Sequence, residues 1–565
     1  MEFKGVAAAA GIGIGRAVVV TSPPPGGTGP AGSAGRDAAE EKISAEAVSQ
    51  ELERFWAAVA SVRAALTRLR GELARTAGEE KAAIIDAQAM MLDDPAFVDA
   101  VRDAITAGHK PAVQAVEDVA ARLAAGLAAV EDEYIRQRAV DIRDLGRQLV
   151  EALTGETSGE PVAGVVVTSE LTPSQAAAMD PGRVEGVVAG AGGATAHAAF
   201  ILAARGIPAV FGVGDHWAQV RDGDTVVVDG NRGLVAVNPS PQELDAFLVQ
   251  KAAWQAEQAA LVRLRHKPAE TADGLRRVEL GANIGGPADV AAALAAGAEG
   301  VGLFRTEFLF LDRPDLPSEE EQFQVYKAVL AGMGGRPVII RTLDAGGDKP
   351  VPALGLGPET NPFLGYRAIR VCLDRTDVFA TQLRALLRAS VHGRLLIMFP
   401  FIATVAEVRQ AKGVLAAVKA GLDREGIPYD PHVQVGVMIE IPSAAVTADL
   451  IAREVDFFSI GSNDLTQYTL AVDRTNEKVA AYYDSLHPAV LRLCKNVIDA
   501  AHAAGIWAGM CGEMAGDPRA IPVLLGLGLD EFSMSPAALP KAREIIRSLT
   551  LAEAQAYARA ALQQS

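Results

Sequence analysis

The sequence is poor in cysteine and in long apolar runs, and each deficit excludes a class of protein. It has 565 residues but only three cysteines, which are odd in number and far apart: Cys372, Cys494 and Cys511. This usage excludes a disulfide framework and predicts a reducing, cytoplasmic location. No apolar run reaches the roughly 18 residues that a membrane helix needs, so membrane insertion is not expected.

The sequence also has fewer basic residues than acidic ones. The chain has 53 Lys and Arg against 70 Asp and Glu, which gives a formal net charge of -17. Nucleic-acid binding requires a basic surface and is therefore not expected. The acidic balance suits a basic protein partner or a metal-chelated substrate instead. At roughly 100–200 residues per domain, the length allows about three or four domains.

The N-terminal part contains a helical block between strand-forming segments. Residues 21–36 are rich in Pro, Gly and Ser, which predicts a flexible connector. In the block that follows, apolar residues recur at spacings of three and four, which predicts about four helices: Phe55, Val59, Val62, Leu66 and Leu69. Short apolar strands then fill residues 160–240, and Val18–Val20 could pair with them.

From these patterns we predict a multidomain α/β protein. Residues 1–20 and 151–240 would form a small α/β domain, into which residues 21–150 are inserted as a helical bundle. Residues 241–268 would be a linker helix. Eight apolar strand candidates alternate with helical stretches over residues 269–565, which predicts a (β/α)8 TIM barrel: VELGANI, GVGLFR, PVIIRTLD, RLLIMFPFI, QVGVMIEI, DFFSIGSND, IWAGMCGE and DEFSMS.

Polar or reactive side chains stand at the carboxyl ends of five of these strands, where a barrel enzyme keeps its chemistry: Arg305, Arg341, Glu440, Asn463, Asp464 and Cys511. The guanidinium groups match phosphate or carboxylate, and Arg474 and Arg367 could add two more cations. The carboxylates and the amide suit Mg2+. Taken singly, an arginine here is more often a surface ion partner and a cysteine more often a buried apolar residue. Their joint position favours a site for an anion with phosphate and carboxylate groups.

A glycine-rich loop, AGAGGATAHAAF, places His197 near the start of a predicted helix. Backbone N–H groups at a helix N-terminus favour anions, so a phosphorylated imidazole would find donors there. Because glycine patterns are weak evidence, a flexible loop with an incidental histidine deserves about equal weight when the loop is considered alone.

Several long motifs together resemble one family over nearly the whole chain: EDEYIRQRAVDIRDLG, ELTPSQ, GGATAH, GLFRTEFLFLDR, IIRTLDAGGDK, NPFLGYRAIR, VMIEIPSA, SNDLTQYTLAVDR and MCGEMAGDP. The family is phosphoenolpyruvate-protein phosphotransferase, Enzyme I of the bacterial sugar phosphotransferase system. The resemblance implies a swivelling phosphohistidine domain and a helical domain that binds the phosphocarrier protein HPr. It also implies a barrel that binds phosphoenolpyruvate with Mg2+ and forms a homodimer.

The resemblance also implies residue roles. His197 would accept the phosphoryl group, and Cys511 would protonate C3 of the enolate that remains. Glu440 and Asp464 would be the Mg2+ ligands. The substrate anchors would be Arg305, Arg341 and Arg474, with Asn463 and Asp464 beside them.

The histidine loop departs from the usual family pattern G-G-R-T-S-H-T, which is followed by an arginine six residues after the histidine. Ala194 replaces the first arginine, Ala196 and Ala198 replace hydroxyl residues, and Ala203 occupies the later arginine position. Arg205 lies two residues further on, about 200° around a helix from the usual direction. We therefore predict that His197 accepts phosphate but that its phosphorylated form is less well stabilised.

Two alternatives remain open. The sister enzymes phosphoenolpyruvate synthase and pyruvate phosphate dikinase share the histidine domain and the barrel, but they need a large ATP-binding domain for which this chain is too short. A regulatory protein that senses phosphoenolpyruvate without turning it over is the other alternative, because fold does not fix function.

Overall fold

A computed structural model describes residues 1–20, 43–44, 46–77, 85, 89–128, 133–155, 163–193, 196–311, 313–346, 351–357, 359–476 and 478–563. The chain divides into two compact units, Met1–Gln258 and Ala259–Ser565. The finer division into four segments stays a prediction, and the predicted connector 21–36 lies outside the described residues. None of the described helices combines the length and apolar character that crossing a lipid bilayer requires.

The first unit is built on a mixed eight-stranded sheet in the order β1-β8-β7-β3-β4-β5-β6-β2. The predicted pairing of Val18–Val20 is confirmed, because these residues pair in parallel with Val166–Thr168. The strands are β1 Glu2–Lys4, β2 Val6–Ala9, β3 Ile12–Val20, β4 Gly164–Thr168, β5 Val184–Ala189, β6 Ala209–Phe211, β7 Thr225–Asp229 and β8 Leu234–Val237.

The predicted helical insertion lies between the neighbouring strands β3 and β4. It contains α1 Val48–Ala77, α2 Pro95–Thr106, α3 Ala112–Ala128 and α4 Glu133–Thr154. Its predicted apolar stripe is buried, with Phe55 fully enclosed and Val59, Val62 and Leu66 almost so. These side chains belong to the same core as residues of the sheet, such as Phe211, so the bundle and the α/β layer fold as one packed unit. The unit also contains α5 Pro173–Ala178 and α6 His197–Arg205, and α7 Pro241–Leu264 begins in it and ends in the second unit.

The second unit confirms the predicted (β/α)8 barrel. Eight strands are joined in parallel from β10 to β17, and the circle closes between β17 and β10. A short strand, β9 Ala269–Glu270, is added antiparallel to β10. The barrel strands are β10 Arg277–Ile284, β11 Gly300–Arg305, β12 Val338–Arg341, β13 Leu395–Phe399, β14 Gln434–Ile439, β15 Phe457–Ile460, β16 Trp507–Met510 and β17 Glu531–Met534.

Helices between and after these strands cover the outside of the barrel, and β-branched and aromatic residues fill the space between the layers. They are α8 Asp289–Ala295, α9 Glu319–Gly332, α10 Ile369–Asp374, α11 Thr376–Ala389, α12 Val405–Glu425, α13 Pro442–Val446, α14 Ala448–Ile451, α15 Ser462–Leu470, α16 Pro488–Ala504, α17 Ile521–Leu527, α18 Leu539–Ser548 and α19 Leu551–Gln563.

Candidate active site

In the first unit, His197 is the first residue of α6 and follows the glycine loop that leaves β5. Gly192 in this loop has φ +96°, a conformation that side-chain-bearing residues rarely adopt. Ala196 occupies the N-cap position and has no side-chain hydrogen bond to the helix. The N-cap side chain therefore occupies none of the backbone N–H groups at the start of α6.

The imidazole of His197 has a carboxylate partner from the helical bundle. Its Nδ1 lies 3.3 Å from Oδ1 of Asp141 on α4, and the Asp141 side chain is buried. If Nδ1 carries the proton and donates it to the carboxylate, Nε2 keeps its lone pair and is the nucleophilic nitrogen. The His197 side chain is 23% exposed, so a substrate can reach the ring.

The departures from the family pattern leave α6 with few polar side chains. Ala198 is buried and Ala203 is exposed, while Ala194 lies outside the described residues. Arg205 donates a hydrogen bond to the carbonyl oxygen of Met179, over 2.9 Å. The prediction that phosphohistidine is weakly stabilised here is not tested by these contacts and stays a prediction.

In the second unit, Arg305 and Arg341 end two neighbouring barrel strands and are direct partners in the ladder. Arg341 is buried and forms ion pairs with Glu307 and, over 3.0 Å, with Asp344. These two carboxylates hold the pKa of Arg341 above its ordinary value despite the opposing effect of burial. Its Nε is buried without a hydrogen-bond partner in the described part of the chain.

A chain of ion pairs continues from this point across the carboxyl end of the barrel. Asp344 also binds Arg367, whose Nη2 is 3.0 Å away, and Arg367 reaches Asp464 over 3.4 Å. Asp464 in turn lies 3.6 Å from Nη2 of Arg474. Four predicted residues, Arg341, Arg367, Asp464 and Arg474, are thus joined in one network. Because its central members are almost fully buried, losing one partner leaves an uncompensated charge.

Glu440 follows β14 directly and is buried at the same end of the barrel. One of its oxygens accepts a hydrogen bond from the backbone N–H of Phe401, over 2.6 Å. Burial raises the pKa of Glu440 to about 8, the negative charges of Asp464 and Asp344 add to the rise, and two arginines of the network oppose it. Glycine at position 461 is required here, because a Cβ would come within 2.8 Å of the Glu440 carboxylate.

Asn463 and Asp464 lie in the first turn of α15, just after β15. The Asn463 amide binds Glu513 in both directions, since its oxygen accepts from the Glu513 N–H over 2.9 Å and its nitrogen donates to the Glu513 carboxylate over 3.3 Å. Asp464 is buried, and its Oδ1 has no hydrogen-bond partner in the described ranges. Such an oxygen is suited to a ligand.

Cys511 directly follows β16, and its thiol is buried beside the carbonyl of Ile460. It packs among apolar side chains of the barrel interior, including Met398, Met438 and Phe457. Burial raises the pKa of the Cys511 thiol to about 12, although Ser459 and Arg341 oppose the rise. The group therefore carries its proton at neutral pH, as a proton donor must.

The sequence prediction missed several residues of this end of the barrel. Glu307 and Asp344 are buried carboxylates that lie two and three residues beyond predicted strand-end arginines, so the same rule extended by one turn would have found them. Phe401 combines a φ of 59° with a ring that lies 4.6 Å below the Arg367 guanidinium. Tyr468 accepts a hydrogen bond from Arg367 and donates one to the carbonyl of Phe363. Tyr468 lies within the motif SNDLTQYTLAVDR, but nothing in the sequence indicates that Tyr468 or Phe401 contacts Arg367.

The carboxylates of Glu440 and Asp464 together fit a divalent cation. The negative charge of Asp464 raises the pKa of Glu440, and Asp464 has the buried oxygen without a hydrogen bond described above. No set of three or more His, Cys, Asp and Glu side chains in the described part of the chain could hold a metal ion. Two carboxylates suffice for Mg2+, which usually keeps waters and takes substrate oxygens as its other ligands.

The carboxyl end of this barrel, with its arginines, its carboxylate pair and a protonated thiol, is suited to an anion that carries phosphate. Family models for PEP-utilising enzymes match this chain in three places: the N-terminal model over residues 4–138, the mobile-domain model over 161–233 and the PEP-binding-domain model over 258–551. The protein is therefore in the class of enzymes that use phosphoenolpyruvate.

Similarity to individual proteins narrows the class further. A phosphoenolpyruvate-protein phosphotransferase of Bacillus sp. (strain S) is 47% identical over 556 residues, which cover 98% of this chain and 94% of that protein. Another, of Staphylococcus carnosus (strain TM300), is 44% identical and covers 100% of this chain and 96% of its own length. An NMR solution structure of an Enzyme I protein is 31% identical and covers 45% of this chain and 99% of its own, with a TM-score of 0.33. This chain belongs to the phosphoenolpyruvate-protein phosphotransferase family.

Proposed function

We propose that this protein transfers the phosphoryl group of phosphoenolpyruvate to Nε2 of His197 and then to a histidine of the small phosphocarrier protein HPr. This is the first step of sugar uptake by the phosphotransferase system. The observation that carries the proposal is the network of buried ion pairs at the carboxyl end of the barrel, together with an accessible imidazole whose Nδ1 faces a carboxylate.

The arginines bind and orient the substrate. Phosphoryl transfer asks a protein mainly for positioning and charge neutralisation. Arg305, Arg341 and Arg474 are the guanidinium groups we assign to the phosphate and carboxylate of phosphoenolpyruvate, with Asn463 beside them. Arg367 is bound to Asp344 and Asp464, so its role would be to hold the carboxylates in place.

We also propose that Mg2+ is the cofactor and that Glu440 and Asp464 hold it. When bound, Mg2+ neutralises charge on the phosphoryl oxygens. Because Glu440 takes up a proton readily when buried, its binding to a cation requires that proton to leave. The protonated thiol of Cys511 is suited to donate its proton to C3 of the enolate, which prevents the reverse reaction.

Labelling with radioactive phosphoenolpyruvate and Mg2+ tests the proposal. The wild-type protein should acquire acid-labile label, and His197→Ala should acquire none. His216→Ala is the matched control, because His216 is an exposed histidine of the same unit that stacks on Phe3. Absence of label in the wild type would contradict the proposal and support the sensor alternative, and a requirement for ATP would support the dikinase alternative.

For the HPr contact, we propose a shallow depression on α1 of the bundle, lined by Trp56, Ala60 and Ala64 among others. Trp56 is 46% exposed, so its large aromatic surface is accessible to a partner. We expect Trp56→Ala to slow transfer to HPr while leaving the labelling of His197 unchanged. Equal loss of both steps would contradict this placement.

We further propose a homodimer that forms through the barrel, in the cytoplasm. Val446 and Leu450, on the adjacent helices α13 and α14, are 62% and 46% exposed and offer an apolar face. The three cysteines are free thiols, which fits a reducing compartment. Light scattering of wild type and Val446→Glu would test the dimer, since a buried charge at the interface should shift the mass toward the monomer.

A further inference from the structure

The amino end of the barrel, opposite the candidate site, contains a cavity of about 400 Å³. Its charged lining residues are Arg277, Glu279, Arg394, Asp530 and Glu531. None of the residues assigned above to substrate or Mg2+ lines it. The cavity is therefore a separate feature of the barrel.

Glu531, the first residue of β17, is the unusual member of this set. It is only 5% exposed, and neither carboxyl oxygen has a partner with hydrogen-bond geometry among the described residues. Burial raises its pKa well above the ordinary value, Glu279 adds to the rise and the backbone N–H of Met510 opposes it. Burial without a hydrogen-bond partner thus favours the neutral, protonated form of this carboxyl group.

Three glycines make the space for this carboxyl group. A Cβ at Gly302 or Gly281 would lie 2.1 or 2.3 Å from Oε1, and a Cβ at Gly509 would lie 2.3 Å from Oε2. These separations are too short for real atoms, so only glycine is compatible with the observed side chain. Three strands, β10, β11 and β16, thus leave room for one acid inside the barrel.

The same interior face leads from Glu531 to Cys511. Gly509 on β16 is the ladder partner of Glu531, and Cys511 lies two residues further toward the carboxyl end, on the same face of the strand. Beside it, the Ser533 hydroxyl donates to Asn283 over 2.6 Å, and the Asn283 amide donates to the Cys511 carbonyl over 3.1 Å. Once ionised, Glu531 raises the pKa of the Cys511 thiol. A hydrogen-bonded chain therefore runs from Ser533, two residues after Glu531, to the main chain of Cys511.

We propose that Glu531 is the proton reservoir that restores Cys511 after each turnover, an inference that rests on the proposed function. When Cys511 donates its proton to C3, its S–H bond breaks. A thiolate is then left among apolar side chains while pyruvate still occupies the carboxyl end of the barrel. The carboxyl O–H of Glu531 then breaks, and a water molecule in the barrel interior relays its proton to sulfur. The carboxylate recovers a proton from solvent through the cavity, so each pyruvate consumes one solvent proton.

A burst experiment tests this role with Glu531→Gln, which has nearly the same shape but no titratable proton. With HPr as acceptor, the first turnover should form pyruvate at the wild-type rate, because Cys511 begins protonated. Later turnovers should slow by about tenfold or more, which produces a burst. Glu531→Asp should restore part of the later rate and leave a smaller slowing, because it keeps a carboxyl group but displaces it.

The matched control is Glu279→Gln, which changes an exposed carboxylate of the same cavity and should show no burst. A merely structural role of Glu531 predicts a first turnover slowed as much as the later ones, and that result would overturn the inference, as would an unchanged steady rate. Failure of the wild type to label His197 would instead remove the proposed function. If Glu531→Gln does not fold, the absence of any slowing in Glu531→Asp, which displaces the carboxyl group, would count against the reservoir.

Discussion

The carboxyl end of the barrel and the His197 loop differ in how firmly their charged groups are held. At the barrel, Arg341, Arg367 and Asp464 are buried and bound in a continuous chain of ion pairs. At the loop, the imidazole is 23% exposed and a glycine turn precedes it. The barrel is preorganised for charge, whereas the imidazole is left accessible, as the proposed transfer from phosphoenolpyruvate to HPr requires.

The largest expected effect concerns the buried network. Replacing Arg367 by Met leaves Asp344 and Asp464 without their shared cation, so the barrel should lose about 3–5 kcal/mol of unfolding free energy. Arg370→Met is the matched control, because that guanidinium also lies over Phe401 but binds only backbone carbonyls in the described structure. Urea unfolding measures the free energy of unfolding of both variants. Equal losses would mean that buried, ion-paired charges and exposed charges contribute alike.

The second largest effect is expected when the thiol of Cys511 is replaced, and it concerns the rate of pyruvate formation. Cys511→Ser keeps the volume but offers a poorer acid, and pyruvate formation should fall by roughly 10²–10⁴-fold while His197 is still labelled. Cys494→Ser removes a buried thiol of α16, away from the mouth, and should leave the rate unchanged. A pyruvate assay with lactate dehydrogenase gives the comparison. Similar rates for the two variants would mean that Cys511 is only a packing residue.

A smaller effect is expected at the histidine. Asp141→Asn weakens the preference for a proton on Nδ1, so labelling of His197 should slow by about tenfold. Asp144→Asn is a suitable control, because Asp144 is also a buried acid of α4 but binds Arg147 and Ser174. Rapid-quench labelling measures the rate. A larger loss than that of Cys511→Ser would reverse the order of the two regions.

The smallest change per step is expected for the pH dependence of stability. Without metal, folded Glu440 is protonated up to about pH 8, whereas in the unfolded chain it ionises near its ordinary pKa. Its contribution to stability is therefore complete below the unfolded value and is lost as pH rises toward 8, by at most about 1.4 kcal/mol per pH unit. Thermal unfolding in chelator should show this slope in wild type and less of it in Glu440→Gln. Identical slopes in the wild type and Glu440→Gln would mean that a group other than Glu440 titrates.

The sequence predicted the barrel well because periodicity and strand length are local signals. All eight strand candidates became barrel strands, and the apolar stripe from Phe55 to Leu66 is buried. Polar residues just past strand ends could also be recognised, because parallel strands bring these ends together. Closure of the barrel in this way joins residues that are far apart in sequence: Asp464, Arg341 and Arg367.

Other features depend on contacts that no local pattern contains. Asp141 stood in a stretch interpreted as part of a partner-binding bundle, and only packing of α4 on the α/β layer brings it to His197. Glu531 begins its strand, whereas chemistry in a barrel is expected at the carboxyl ends of the strands. Its significance depends on glycines from three other strands.

The position of the helical bundle between two neighbouring parallel strands limits how the chain can be shortened. β3 and β4 run in the same direction, so the chain must return along the full length of the sheet before β4 can begin. A short reverse turn cannot make that connection, which takes about a dozen residues or more. A minimal version of the α/β layer would therefore have to retain one helix of the bundle, and α4 is the natural choice because it ends nearest in sequence to β4 and carries Asp141.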